Sequence, residues 1–100
     1  MESRYNIPEE LLEIIPGYIN RRGDDVQMLK IMISNRDFDA IRKLGHKLKG
    51  NGASFGFDRI TDIGNKLMQS CEKKDYSTVA NLINEFETEI NLIKSTLKFS

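Results

Sequence analysis

Apolar residues recur along this chain at steps of three and four, and no stretch alternates apolar and polar residues with the two-residue period of a half-buried strand. The pattern therefore predicts helices throughout. Pro8, Glu9 and Glu10 open a short helix through Leu11, Leu12 and Ile15, since proline suits a first turn and carboxylates favour the positive end of the helix dipole. Pro16 bends or restarts it. Ile19, Val26, Leu29 and Ile33 then form one stripe, interrupted by Gly23, on a helix that ends near Asn35. Asp37 is the expected N-cap of the next helix, whose stripe runs through Phe38, Ile41, Leu44, Gly45, Leu48, Gly52 and Phe55 to a stop at Gly56. Asp58 is expected to cap a further helix with Ile60, Ile63, Gly64, Leu67, Met68 and Cys71 inward, ending in the charged segment Glu72 to Asp75. The last helix starts at Asp75 or Ser77 and carries Val79, Leu82, Ile83, Phe86, Ile90, Ile93 and Leu97 in a coiled-coil-like repeat.

Short connections force successive helices to run in opposite directions. The expected fold is all-α, an antiparallel up-and-down four-helix bundle with a short additional N-terminal helix across one end. One domain spans 1–100, with its core over about 8–98. Methionines and aromatics in such a chain read as packing and not as a cofactor box. Fifteen Lys and Arg balance fifteen Asp and Glu, so no global field draws the chain to nucleic acid or to an anionic membrane. Any electrostatic role must be local. The lone cysteine, Cys71, has no second thiol for a disulfide or a metal pair, which suits a reducing compartment and a core position. No targeting segment or long apolar run is evident, and the expected location is cytoplasmic. The starting methionine and polar ends favour an independent protein or a deliberately expressed domain.

Three glycines change the picture of the second long helix. Each of Gly45, Gly50 and Gly52 should cost about 1 kcal/mol relative to alanine inside a helix. Gly45 and Gly52 fall on the buried stripe, where a missing side chain lets a neighbouring helix come close. Gly50 lies about 170° from the stripe centre, on the solvent side, where internal packing cannot explain it. The only histidine, His46, stands four residues earlier and about 150° from the stripe, so its ring is expected in solvent. Lys49, Lys43 and Arg42 are three or four residues from it, and Lys47 flanks it. Cations beside an imidazole favour its neutral, nucleophilic form, and they can also neutralise phosphate oxygens. Phosphoryl transfer asks little more of a protein than an in-line nucleophile and positive charge near the equatorial oxygens. His46 and Lys49 supply those two elements.

The run His46-Lys47-Leu48-Lys49-Gly50 resembles the His-x-x-Lys-Gly signature of histidine-containing phosphotransfer domains of bacterial multistep phosphorelays. The likeness extends from Asp37-Phe38 and Ala40-Ile41-Arg42 through Gly52-Ala53-Ser54-Phe55-Gly56-Phe57 to Ile63-Gly64 and Leu67. It implies a four-helix bundle in which His46 takes a phosphoryl group from a receiver-domain aspartyl phosphate and passes it to another receiver aspartate. By the same resemblance Lys49 steadies the phosphate and Gly50 leaves room for the receiver loop, while Arg42, Lys43, Lys47, Ala53 and Ser54 lie near the docking surface. The partners implied are response-regulator receivers or a hybrid sensor kinase, with the chain itself a monomer and a carrier without autonomous turnover. The resemblance implies no intrinsic cofactor, and it places the magnesium ion such transfers use in the receiver. Gly45 stands where the family often has alanine, and Lys47 adds charge at a position the signature leaves open.

Two other classes of function compete with this reading. A non-phosphorylated helical module could dock an acidic partner through the basic patch around His46, but docking alone would not require His46, Lys49 and Gly50 together. A small phosphatase or kinase is disfavoured, because the chain has no Gly-rich nucleotide loop, no compact metal-ligand cluster and no nucleophile with an adjacent base. Asp24, Asp25, Glu85, Glu87 and Glu89 read as ordinary solvated helix faces.

Overall fold

The structure, a computed structural model, describes Tyr5 and residues 7–97. Within them a 3-10 turn at Glu9–Leu11 precedes four helices: α1 (Ile15–Ser34), α2 (Phe38–Asn51), α3 (Asp58–Glu72) and α4 (Tyr76–Leu97). The described residues contain no strand. The chain is an antiparallel four-helix bundle, as the helical periodicity required. Its core is one cluster fed by all four helices, with Ile19, Leu29, Ile41, Leu48, Ile60, Leu67, Val79, Phe86 and Ile93 fully enclosed. The stripe of α4 is buried as read, except that Leu97 at the end is half-buried.

The N-terminal segment departs from expectation in form. The proline–glutamate start gives a single 3-10 turn, and the α-helix begins afresh at Ile15 with Pro16 in its first turn. Proline lacks the N–H that an interior helical position would donate, so a new first turn satisfies it at least cost. Gly23 leaves α1 unbroken.

The helix termini follow local chemistry in two cases and depart from it in two. Asp37 caps α2, its carboxylate accepting from the Ala40 amide at 3.1 Å. Asp75, and not Ser77, caps α4, accepting from the Thr78 amide at 3.2 Å and the Thr78 hydroxyl at 2.7 Å. Asp58 does not cap α3, because the N-cap position falls on Phe57, whose buried ring anchors the turn, and Asp58 is the first helical residue. Similarly α2 does not continue to Gly56. It ends at Asn51, and Ala53–Phe55 form a 3-10 turn closed by Gly56, whose φ of 91° suits a residue without a Cβ. Phe55 is accordingly only half-buried, as are Phe38 and Met68 on the same expected stripes.

Two carboxylates expected in solvent are inside. Glu89 is 3% exposed, accepts from the Tyr5 hydroxyl at 3.3 Å and faces the Arg59 guanidinium at 3.8 Å. Asp25 is half-buried against Arg22 at 2.7 Å, an ion pair with poor hydrogen-bond alignment. Burial pushes the Asp25 carboxyl up from its ordinary value, opposed mainly by Arg22 and further by Lys47. Its partner Arg22 also lies over the Tyr18 ring, 4.8 Å from its centroid.

Candidate phosphoryl-acceptor site

The site is built on α2, and its geometry starts from how closely α2 meets α3. A Cβ on Gly45 would lie 2.9 Å from the Gly64 carbonyl oxygen, and one on Gly64 would lie 2.5 Å from the Lys49 nitrogen. These are contacts of backbone with backbone. Neither helix could give way without separating, so glycine at both positions lets the two axes approach and fixes the register of α2 against α3. Glycine at position 45, where the sequence resemblance often has alanine, is thereby accounted for.

Behind this seam the end of α2 is held by side chains from elsewhere. Tyr18 on α1 donates to the Asn51 side-chain oxygen at 2.6 Å, and its ring stacks on Phe55 with centroids 4.2 Å apart. Burial raises the Tyr18 phenol above its ordinary value, with Arg22 opposing. Tyr5 meets the Phe57 ring edge-on at 5.2 Å, extending the aromatic packing under the α2–α3 connection. From α3, the Thr61 hydroxyl donates to the Lys49 carbonyl at 3.1 Å and accepts from the Ala53 amide at 2.7 Å.

On the opposite side of α2, His46, Lys47, Lys49 and Gly50 are all exposed. The His46 ring makes no side-chain hydrogen bond or ion pair among the described residues, and the Lys49 ammonium is likewise unpaired among them. A Cβ on Gly50 would meet nothing within 4 Å, and its backbone is ordinary helix. Nothing inside the fold explains that glycine. Ala53 and Ser54 are exposed on the 3-10 turn just beyond, with the Ser54 hydroxyl donating to the Gly50 carbonyl at 3.3 Å.

The ring of cations is smaller than spacing suggested. Arg42 and Lys43, one turn before His46, both pair with Asp39 a further turn back, at 3.1 and 3.2 Å. The Arg42 and then the Lys43 hydrogen bonds hold the Asp39 carboxyl below its ordinary value. Lys47 and Lys49 are the cations beside His46 that form no close ion pair among the described residues. Asp39 was legible from its (i, i+3) and (i, i+4) spacing to Arg42 and Lys43. Thr61 and Tyr18 were not, because their partners lie on other elements.

The assembled site is a helix surface with an imidazole unpaired among the described residues, a lysine on the next turn and open space at Gly50. A comparison of the chain with family models finds the Hpt domain over residues 10–96. The chain belongs to the Hpt family. Comparison with curated proteins and with solved structures gives no match. An Hpt domain serves in histidine phosphotransfer, as a phosphoryl carrier and not as an enzyme, and it works with receiver domains. In this Hpt domain no helix among the described residues is long and apolar enough to cross a membrane. The described residues also hold no group of three or more His, Cys, Asp or Glu able to bind a metal ion.

Proposed function

We propose that His46 accepts a phosphoryl group from the aspartyl phosphate of one receiver domain and passes it to the aspartate of another, as the carrier in a phosphorelay. The observation that carries this reading is the unbonded, exposed imidazole with Lys49 one turn on and open space at Gly50. A nitrogen of the neutral ring attacks phosphorus in line. The N–P bond forms as the P–O bond to the receiver carboxylate breaks, and the carboxylate leaves with the electron pair while the other ring nitrogen keeps its proton. Onward transfer runs in reverse: an aspartate oxygen attacks, the N–P bond breaks and its electron pair returns to the ring. The Lys49 ammonium meets charge on the equatorial oxygens in both directions. Magnesium is expected in the receiver, where it would offset the remaining charge on the phosphoryl group.

In this reading Gly50 keeps the receiver loop unobstructed, and Arg42, Lys43, Lys47, Ala53 and Ser54 border the docking surface. The carrier acts as a cytoplasmic monomer, and its single buried cysteine, with no second thiol in the chain to pair with, suits a reducing compartment. Incubation with a phosphorylated receiver should give an acid-labile, base-stable label that His46→Gln abolishes while the helical circular dichroism persists. Label retained in that variant would defeat the assignment. Receiver binding without any label on the wild-type chain would favour the docking-only alternative.

A further inference from the structure

The end of α2 is set by a side chain that belongs to α3. In a continuous α-helix the Ala53 N–H would donate to the Lys49 carbonyl four residues back. Here the Thr61 hydroxyl stands between them, accepting from the Ala53 N–H at 2.7 Å and donating to the Lys49 carbonyl at 3.1 Å. One hydroxyl thus replaces a rung of the helical ladder, and α2 gives way to a 3-10 turn at that level. The insertion needs Gly52: a Cβ there would lie 2.5 Å from the Thr61 nitrogen and 2.7 Å from its hydroxyl. The Lys49 backbone is confined on its N-terminal side too, since the Lys49 nitrogen lies close against Gly64 in the seam. Both flanks of the lysine beside the acceptor are therefore governed by α3.

We propose that Thr61 is a positioning residue for phosphoryl transfer, acting through the Lys49 backbone to aim the lysine at the phosphoryl group on His46. This rests on the reading of His46 as acceptor. The hydroxyl carries the role, because only a group that donates and accepts at once can bridge the carbonyl and the amide. Thr61 makes no contact with the reacting atoms. Its removal should slow the transfer step and leave receiver docking intact.

The test compares transfer from a phosphorylated receiver to wild type, Thr61→Val, Thr61→Ser, Lys49→Ala and the double variant Thr61→Val/Lys49→Ala. Thr61→Val should lower the maximal transfer rate about tenfold with the half-saturating receiver concentration unchanged, and Thr61→Ser should restore it. In the Lys49→Ala background the valine should add no further loss, because the two act as one unit. A wild-type rate in Thr61→Val, or full additivity with Lys49→Ala, overturns the proposal. A wild-type chain that takes no label defeats the acceptor reading instead, so the two failures are separable. Should valine unfold the bundle, amide exchange on the wild-type protein decides: the Ala53 N–H must exchange slowly despite its exposed position, and fast exchange overturns the bridge.

Discussion

Gly64 faces the Lys49 nitrogen so closely that a single added methyl would lie 2.5 Å from it and 2.6 Å from the Gly45 carbonyl oxygen. The helix that carries His46 and the helix that braces it are in backbone contact at that level.

Gly64→Ala should therefore destabilise the fold by about 2 kcal/mol or more, despite alanine's better helix propensity, because overpacking against backbone cannot be relieved by a rotamer change. Urea unfolding followed by circular dichroism measures this. A midpoint at or above that of wild type would mean that the seam is looser than the structure shows.

Gly50 should respond in the opposite sense. Gly50→Ala should add about 1 kcal/mol of stability, since the position is helical, exposed and empty around its Cβ. Gly50→Gln should fold at least as well as wild type yet slow phosphoryl uptake about tenfold, because its side chain would project beside the imidazole. Uptake at the wild-type rate would remove the case for clearance at this position.

Asp39 holds Arg42 and Lys43 away from any incoming anion. Asp39→Asn should free both and raise the transfer rate about two- to fivefold at low ionic strength, with the gain vanishing near 0.5 M salt, where exposed charges are screened to about 4 Å. The pH dependence has the same origin. The folded-state carboxyl is depressed, so its ion pairs contribute above the ordinary carboxylate value and are lost as pH falls through the lowered one. A transfer rate for Asp39→Asn equal to wild type across the salt series would show that these pairs are immaterial to encounter.

Burial pushes the Cys71 thiol up from 9.0 to about 11, with the Arg42 charge opposing. At pH 8 the folded protein should hold about 100-fold less thiolate than the unfolded chain and react with iodoacetamide correspondingly slowly. Because the folded state keeps its proton more tightly, this group's contribution to stability is complete below pH 9 and declines as pH rises toward about 11. Fast alkylation of the native protein at pH 8 would contradict the burial.

The bundle and the buried stripes were legible because both depend on spacing within one helix. His46, Lys49 and Gly50 share an exposed face for the same reason: a 3.6-residue period fixes direction whatever the partners. What escaped the sequence was set by contacts across it. Helix α2 stops early because the Thr61 hydroxyl enters from another helix, and Glu89 is buried by Tyr5 and Arg59, each far away along the chain. Asp58 looked like a cap by residue type, but the buried Phe57 ring decided where α3 begins. The Asp39 pairs differ, since an acid three and four residues before two cations is in plain view in the sequence and takes both of them.

The His46 ring stands on one face of one helix, at a single address. On the proposed reading two receivers cannot occupy that face together, so the carrier must release its donor before it meets the next partner. Initial rates measured against both receivers should then give parallel double-reciprocal lines, and the loaded intermediate must outlive the interval between two collisions.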